Sequence, residues 1–389
     1  MSGTYDVIVV GAGITGASTA YHLKRDGVER VALFERRAPA AGGTGKSAAI
    51  IRQHYSTALL AGLTKESIGI LSAMPEEIGV NGGYVRSGWV FLVPNTMIEA
   101  ARKNVTMQQE CGIDTRFLND DEIAERLSWL NREGVVGVVY EPDGGYADPV
   151  QATEAFVKGF RDLGGEVHVN TSVRELLRKG DAVTGILSDD GPIVAESVVN
   201  AAGPWSKFLA ESAGIEMDMS CVREQDTVWE ARGDRPLPEM SISNGVDAIY
   251  LRPLGERRYV VGRGYPKDYF PADPNNYKET ADEEFVSDVQ TRLEHRFPPF
   301  AGARRIDSYA ALYDVTPDWY PFIGPRGGLK GYYDACGGSG HGFKIGPAIG
   351  RHLARWIGEG TVSEDFARLS HDRIAAGKQF VGAYGGNRA

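Results

Sequence analysis

The fold is decided by the stretch Tyr5-Asp6-Val7-Ile8-Val9-Val10-Gly11-Ala12-Gly13-Ile14-Thr15-Gly16, in which an apolar run leads into a glycine turn. The run from Tyr5 to Val10 predicts a buried strand of a parallel sheet, and the segment from Gly13 to Arg25 predicts a helix. A second strand is predicted from Val31 to Glu35. Together these elements form a β-α-β unit, in which glycines permit a tight turn and close packing of the helix against the strand.

The glycine turn and the acid that follows it indicate a site for a dinucleotide. The start of the helix offers free amide hydrogens and the positive end of its dipole to a diphosphate. Glu35 ends the second strand nineteen residues after Gly16, where it can accept hydrogen bonds from a ribose. These residues do not separate FAD from NAD. One long cofactor is favoured by the small residues between Val198 and Trp205, at the end of another strand, and by the lack of a second glycine fingerprint.

The size and charge of the chain exclude several classes of protein. Its 389 residues suggest two or three domains, and 42% apolar with 24% charged residues is typical of globular proteins. The formal charge of -10 argues against attraction to nucleic acid or to an anionic membrane. Three scattered cysteines suggest neither a disulfide framework nor a metal motif. We therefore expect a cytoplasmic monomer or small homo-oligomer with no metal, nucleic acid or membrane partner.

Residues 40–47 contain a second motif, which competes with the first. The segment Ala40-Ala41-Gly42-Gly43-Thr44-Gly45-Lys46-Ser47 is a relaxed phosphate-binding loop with alanine in place of the first glycine. Taken literally it indicates an NTPase, with Lys46 on the terminal phosphates and Ser47 on magnesium. However, the strand that should precede such a loop ends at Glu35, and no apolar strand ending in a metal-binding aspartate follows. We therefore expect a chance match.

Motifs spread over nearly the whole chain are similar to those of one known family. They are the glycine turn, Ser47-Ala48-Ala49-Ile50-Ile51-Arg52, the segment from Asn200 to Trp205, Thr316-Pro317-Asp318, and Gly338-Ser339-Gly340-His341-Gly342-Phe343-Lys344. On these motifs the chain resembles the D-amino acid oxidase superfamily, nearest to its sarcosine oxidase, glycine oxidase and dimethylglycine dehydrogenase branch. The resemblance implies FAD. The last motif is the most specific, because its glycines lead into a helix whose positive end could meet the flavin pyrimidine ring.

The predicted fold class is α/β, with a Rossmann-like FAD-binding domain and an inserted α+β substrate domain built on an antiparallel sheet. The FAD-binding domain is expected at residues 1–83, 148–216 and 309–389, and the substrate domain at 84–147 and 217–308. Further helices are predicted at residues 59–74, 98–110, 120–127, 149–163, 283–297 and 344–357. Further strands are predicted at residues 84–93, 166–169, 183–187, 194–200, 248–252 and 258–262.

The glycine turn and the resemblance together predict the residues that contact FAD. They are Gly11, Ala12, Gly13, Ile14, Thr15, Gly16, Glu35, Arg36, Thr44, Gly45, Lys46, Ser47, Ala48, Ala49, Ile50, Val173, Ala201, Ala202, Gly203, Trp205, Gly338, Gly340, His341, Gly342, Phe343 and Lys344. Monomeric sarcosine oxidase attaches its flavin through a cysteine at a position that reads Ala311 here, so we expect noncovalent FAD. We expect Cys336, which is nearby in sequence, to be a buried thiol.

The resemblance also implies a set of substrate residues. Arg52 and Lys344 match positions that bind the substrate carboxylate, Arg52 as a bidentate fork and Lys344 as a point charge. Tyr250 and Tyr313 match tyrosines of a cage around the substrate. The strand that supplies an oxygen-activating lysine in this branch reads Val260-Val261-Gly262-Arg263, so Arg263 is the candidate substitute. His341 is expected to line the cofactor or to have a structural role.

The expected reaction is oxidation of the C–N bond of a small amino acid, most of all an N-substituted glycine or another secondary amine. By resemblance, hydride passes to flavin N5, water hydrolyses the imine, and O2 or an electron carrier reoxidises the flavin, O2 giving H2O2. An oxidase is favoured over a dehydrogenase. Three alternatives stay open: a 2-hydroxy acid oxidase on the same fold, a noncatalytic flavin-binding assembly factor, and the NTPase.

Overall fold

Two large β-sheets surrounded by helices form the computed structural model, which describes residues 4–384. The strands, in chain order, are β1 (Thr4–Val10), β2 (Val31–Phe34), β3 (Ile50–Ile51), β4 (Trp89–Val93), β5 (Arg116–Phe117), β6 (Gly137–Glu141), β7 (Gly145–Tyr146), β8 (Glu166–His168), β9 (Val173–Lys179), β10 (Ala182–Ser188), β11 (Gly191–Asn200), β12 (Ser220–Glu230), β13 (Ser241–Asn244), β14 (Ile249–Gly255), β15 (Arg258–Arg263), β16 (Phe270–Pro271), β17 (Arg304–Val315), β18 (Phe322–Pro325) and β19 (Tyr332–Cys336). The helices are α1 (Ile14–Arg25), α2 (Ala58–Glu77), α3 (Ile98–Glu110), α4 (Asp120–Arg126), α5 (Pro149–Asp162), α6 (Ser206–Glu211), α7 (Glu283–Arg296), α8 (Gly342–Glu359), α9 (Glu364–Ala367) and α10 (Asp372–Ala375). Among these residues we find no helix whose length and hydropathy would suit it to span a bilayer.

The first sheet has the strand order β18-β19-β11-β1-β2-β8, and its strands run parallel except for β18. The hairpin of β9 and β10 extends from β11. Apolar side chains of α1, α2, α5 and α8 bury one face of this sheet in a large hydrophobic cluster. This arrangement confirms the β-α-β unit and the predicted fold class, with the glycine turn at the carboxyl end of β1.

Close packing around α1 depends on glycines. A Cβ atom on Gly11 would lie 2.4 Å from the carbonyl oxygen of Ala201, and one on Gly16 would lie 1.9 Å from the carbonyl oxygen of Gly11. On the opposite side of α1, a Cβ atom on Gly350 of α8 would lie 2.4 Å from Ser18 Oγ. Because no side chain separates these segments, β1, α1, β11 and α8 are held at backbone contact distance.

The second sheet has the strand order β16-β12-β15-β14-β13-β4-β6-β5, and β17 pairs with the other edge of β12. Its pairs are antiparallel except for β4 with β13. Alternate residues of β14 and β15, including Leu251 and Val261, pack against α7. The intervening residues, including Tyr250 and Gly262, face the first sheet and the space between the two sheets. The predicted antiparallel substrate domain is therefore present, with one parallel pair that was not predicted.

Several predicted elements need correction. The strand predicted at residues 84–93 is confined to β4, because Gly88 adopts a φ of +82° and interrupts it. The long strands β12 and β17 were not predicted. The return to the FAD-binding domain was expected at residue 309, within β17, which pairs with β12 of the second sheet from Arg304 to Val315. The chain rejoins the first sheet only at β18.

The contact between α1 and α8 gives a test of the fold. We expect Gly350→Ala to lower the free energy of unfolding by about 1 to 3 kcal/mol, because the added methyl group must displace Ser18 or separate the helices. Gly69→Ala is a matched control, since Gly69 is an exposed helical glycine with open space at its Cβ position. It should raise stability by about 1 kcal/mol through helix propensity. Chemical denaturation of both variants measures the difference, and equal effects would contradict the close contact.

Candidate functional site

A cavity of about 680 Å³ lies between the two sheets and is lined by residues from both. Its size is within the range of ligand-binding pockets. Apart from Ala12 and Gly45, it is lined by every residue predicted to contact FAD or substrate. Ala12 and Gly45 instead form hydrogen bonds with Ala40, which lies behind the lining residues. The Ala12 carbonyl accepts a hydrogen bond from Ala40 N, and the Ala40 carbonyl accepts one from Gly45 N, both at 2.9 Å.

One end of the cavity is formed by the glycine turn and the end of β2. Glu35 accepts hydrogen bonds from the backbone N–H groups of Ala12 (3.0 Å) and Arg37 (2.9 Å). The hydroxyl of Thr44 accepts one from Ile14 N at 3.2 Å. The guanidinium of Arg36 stacks on the Trp205 ring at 3.7 Å. Since the first turn of a helix leaves N–H groups without intrahelical acceptors, this end has donors for a diphosphate and a carboxylate for a ribose.

The residues present fit FAD along the length of the cavity. At Gly342 a Cβ atom would meet nothing within 4 Å, so the backbone at the start of α8 is open to the cavity. Gly203, beside Trp205, is open in the same way. Glycines therefore leave room for a long ligand both near the end of β11 and at the start of α8.

Lys46 lines the cavity, but its ammonium group is engaged by other residues. Its Nζ donates hydrogen bonds to Glu279 (2.7 Å), Tyr277 (2.9 Å) and the carbonyl of Ala310 (3.1 Å). The Lys46 side chain thus connects the loop of residues 40–47 to the second half of the chain. We expect the backbone of this loop, and not the Lys46 ammonium group, to make any contact with a phosphate. Nor do the described residues contain a cluster of His, Cys, Asp or Glu that could hold a metal. The engagement of the Lys46 ammonium group by Glu279, Tyr277 and Ala310 disfavours the NTPase.

The loop of residues 337–341 is held in place by Asp314. The Asp314 carboxylate accepts a hydrogen bond from Gly337 N at 2.7 Å, and its carbonyl accepts one from Ser339 N at 2.9 Å. A Cβ atom on Gly340 would lie 2.6 Å from the Tyr313 ring, so the loop contacts the aromatic wall directly. His341 lies just before α8, with Nδ1 3.2 Å from the hydroxyl of Tyr55.

Two cations without acidic partners face the cavity near this loop. Lys344 lies in the first turn of α8 and is 9% exposed, and within residues 4–384 it has no ion pair or hydrogen bond to its ammonium group. Burial, and secondarily the charge of Arg52, hold the pKa of Lys344 well below its usual value. Arg52 lies over the rings of Tyr55 (4.5 Å) and Trp89 (5.9 Å) and donates to the carbonyl of His54. An anion entering the cavity would relieve this uncompensated positive charge.

Glu141 lies behind Arg52 and is fully buried. One of its oxygens accepts a hydrogen bond from Gln53 N at 2.7 Å, and the other has no partner within the described part of the chain. Burial raises the pKa of Glu141 to about 8, although the Gln53 N–H group and the charge of Arg52 oppose the shift. A protonated Glu141 leaves the charge of Arg52 available to a ligand at neutral pH.

The opposite wall, on the second sheet, carries acidic and aromatic groups. Tyr250 donates a hydrogen bond to Asp226 at 2.7 Å, and Tyr313 lies beside this pair. Asp226 was not predicted, because nothing in its local sequence distinguishes it from a surface acid. Arg263 lines the cavity, but it forms an ion pair with Asp288 and donates to the Ala248 carbonyl at 3.0 Å. Its charge is therefore already compensated, which weakens its candidacy as a substitute for the missing lysine.

A second side chain that was not predicted closes the cavity beside Arg52. The hydroxyl of Tyr384 lies 2.5 Å from His54 Nε2, and its ring packs edge-on against Phe91 at 5.9 Å. Burial lowers the pKa of His54 to about 3, so the imidazole is neutral at physiological pH. Nothing in the sequence near Tyr384 indicated that this residue lies at the site.

The buried acid Glu141 predicts a pH dependence of stability. Its pKa is higher in the folded state than in the unfolded state, so its contribution falls as pH rises from about 4.5 to 8, by about 1.4 kcal/mol per pH unit. We expect Glu141→Gln to flatten this decline between about pH 6.5 and 8, a window in which His54 stays neutral. Denaturation of both proteins at the two pH values measures the slopes, and parallel slopes would show that Glu141 is ionised when folded.

Comparisons with known proteins agree with this geometry. A family model described as FAD dependent oxidoreductase (DAO) matches residues 6–356. The chain is 28% identical to 4-methylaminobutanoate oxidase (formaldehyde-forming) of Paenarthrobacter nicotinovorans, over 95% of this chain but only 45% of that protein. It is 27% identical to the sarcosine oxidase subunit beta of an Arthrobacter species, over 96% of this chain and 92% of that one.

Among solved structures, L-proline dehydrogenase from P. horikoshii is similar, with a TM-score of 0.89 and 25% identity over 98% of this chain and 100% of that one. The chain thus has nearly the full length of two of these proteins and slightly less than half the length of the third. The expected family and fold class are confirmed. Because the family model matches most of the chain, the protein belongs to the DAO family of FAD-dependent oxidoreductases.

Proposed function

We propose that the protein oxidises the C–N bond of a small amino acid with a secondary amine, such as an N-substituted glycine, using noncovalently bound FAD. One observation carries the proposal. Arg52 and Lys344 line one cavity as cations without acidic partners among the described residues, next to the glycine loop that precedes α8. A buried cation without a counterion is costly, so the site is prepared for an anionic group of a ligand.

The two cations have different roles in this proposal. The planar fork of Arg52 suits both oxygens of a carboxylate, and its stacking on Tyr55 fixes the plane of the fork. Lys344 adds a compact charge from α8. Because burial disfavours its charged form, an arriving carboxylate stabilises the ammonium and raises the pKa of Lys344.

Tyr250 and Tyr313 form the aromatic wall that orients the rest of the substrate and excludes water. Bound FAD would supply the acceptor for a hydride from the carbon next to the substrate nitrogen, and water would hydrolyse the resulting imine to a carbonyl compound and an amine. Orientation and electrostatics are the main contributions expected from the protein, so a strong general base is not required.

The names of the similar proteins favour a secondary amine. 4-Methylaminobutanoate, sarcosine and L-proline each carry a carboxylate and a secondary amine, although they differ in length and shape. A 2-hydroxy acid oxidase on the same fold would share the carboxylate site but would not reduce its flavin with such amines. A noncatalytic flavin-binding protein would leave every small substrate unchanged.

The carboxylate assignment is tested by Arg52→Gln and Lys344→Met, which remove one charge each and keep much of the side-chain volume. We expect each variant to raise KM for an N-methyl amino acid and to lower kcat/KM by about 10- to 1000-fold, while FAD content stays normal. Arg258→Gln is the control, because Arg258 pairs with the exposed Glu256 outside the cavity. An Arg52→Gln variant with unchanged affinity for substrate would rule out the assignment.

Attachment and acceptor are tested on the purified holoenzyme. Ala311 offers no attachment point, and Cys336, which lines the cavity, is buried, so that its pKa is raised well above normal and its thiol is a poor nucleophile. We expect acid precipitation to leave all the flavin in the supernatant. Oxygen uptake with formation of H2O2 during turnover would support the oxidase, and turnover with an artificial dye alone would favour an electron carrier. Flavin retained in the precipitate would contradict noncovalent binding.

A further inference from the structure

Four residues form one row across the second sheet, on the face toward the cavity. Asp226 of β12 is in register with Tyr309 of β17 and with Gly262 of β15, and Gly262 is in register with Tyr250 of β14. Side chains in register on one face of a sheet are neighbours. Tyr250 and Asp226 are therefore separated by one strand, at the position of Gly262.

Gly262 allows the two side chains to meet. A Cβ atom there would lie 2.3 Å from the hydroxyl of Tyr250 and 2.4 Å from Asp226 Oδ1, so any side chain would occupy the place of their hydrogen bond. The bond joins Tyr250 Oη to Asp226 Oδ1 at 2.7 Å. Within residues 4–384 it is the only hydrogen bond to the carboxylate of Asp226, which is 4% exposed and lines the cavity.

The charged neighbours of Asp226 have partners of their own. On the same strand, Glu224 forms an ion pair with Lys267, from the loop after β15. Arg252 of β14 donates to the carbonyl of Ala147 and lies 5.0 Å from the Tyr146 ring. Tyr309 and Tyr313 of β17 are the remaining titratable groups beside the pair, and burial raises the pKa of both phenols. Asp226 thus forms no ion pair among residues 4–384, although the charges of Lys267 and Arg252 both act to lower its pKa.

The cavity therefore has two charged walls. Among the described residues, Lys344 faces it as a basic group without an acidic partner, and Asp226 faces it as an acid that forms no ion pair. The cage residue Tyr313 lies between them, since its ring contacts Gly340 before α8 and it neighbours Tyr250. Two opposite buried charges that do not pair with each other match a ligand that carries both charges.

We propose that Asp226, oriented by Tyr250, binds the positively charged nitrogen of the substrate while Arg52 and Lys344 bind its carboxylate. Because an ammonium has no free electron pair, one of its protons passes to the Asp226 carboxylate before the hydride leaves the neighbouring carbon and the imine forms. This deepens the proposed function, on which it rests. The substrate class becomes zwitterionic, and the site rejects hydroxy acids of equal size because their hydroxyl group brings no charge to offset the desolvation of Asp226. Asp226 is then a specificity residue that acts on the amine, separate from the carboxylate site.

The test uses ligand pairs that differ only in an ammonium or a methyl group. The pairs are 2-aminoisobutyrate with pivalate, 3-amino-3-methylbutanoate with 3,3-dimethylbutanoate, and 4-amino-4-methylpentanoate with 4,4-dimethylpentanoate. Their nitrogen is on a carbon without hydrogen, so oxidation to an imine is blocked and only binding is measured. Titration of the holoenzyme at about pH 8, followed by the change in flavin absorbance, gives both dissociation constants of each pair.

At one or more of the three spacings we expect the ammonium ligand to bind about tenfold or more tightly than its methyl counterpart. Asp226→Asn should reduce this ratio to about 1 by weakening only the ammonium ligand, and Tyr250→Phe should reduce it in part. Gly262→Ala should also reduce the ratio of the two affinities, because the added methyl group displaces the hydrogen bond between Tyr250 and Asp226 without changing a charge. The control Glu230→Gln, on the same strand and paired with Arg304, should leave the ratio unchanged.

The ratio should also fall on acidification. Burial raises the pKa of Asp226 to about 6, so its carboxylate is ionised at about pH 8 and mostly protonated at about pH 5. A ratio near 1 at every spacing in the unmodified enzyme, or one that Asp226→Asn leaves intact, would overturn the proposal while leaving the carboxylate site in place. If neither member of any pair binds, the carboxylate site itself fails, and with it the proposed function.

Discussion

The contact between the end of β1 and the end of β11 is the constraint on which the rest of the structure depends. Gly11 passes so close to Ala201 that a Cβ atom would lie 2.4 Å from its carbonyl oxygen. This contact fixes the start of α1 at the edge of the first sheet, where its free N–H groups face the cavity. Gly346 and Gly350 press α8 against the other side of α1, so the helix that carries Lys344 is positioned from the same point.

Charges in the cavity are separated instead of neutralised. Most charged groups of this protein pair locally, as Lys46 does with Glu279 and Arg263 with Asp288. Lys344 and Asp226 form no ion pair with any residue between 4 and 384, although both are almost fully buried. A protein gains stability when buried charged groups are paired or replaced by apolar ones. The presence of Lys344 and Asp226 in one cavity is therefore better explained by a ligand that pairs with both. A protonated Glu141 has a similar effect, because a neutral acid does not offset the positive charge of Arg52.

The sequence predicted the parts of the structure that depend on local pattern. The β-α-β unit, the bounds of α3 and the cofactor wall follow from periodicity and from glycines whose positions have one physical meaning. The strands β12 and β17 were not predicted because polar residues such as Arg223 and Asp307 interrupt their alternation of apolar and polar residues. Asp226 and Tyr384 were not predicted for a different reason. Their hydrogen-bond partners, Tyr250 and His54, lie 24 and 330 residues away in the sequence and come close only in the folded protein.

The two sheets divide the task between them. The first sheet presents backbone and small residues, which suit a cofactor shared by a whole family. The second presents side chains, and its register decides which of them meet: without a glycine at position 262, Tyr250 and Asp226 could not be joined across β15. The same strand carries Arg263, which the sequence suggested as a substitute for a lysine, but the Arg263 guanidinium is paired with Asp288. The space that a side chain at position 262 would fill is used by the hydrogen bond between Tyr250 and Asp226, so the glycine places an acid on the wall of the cavity.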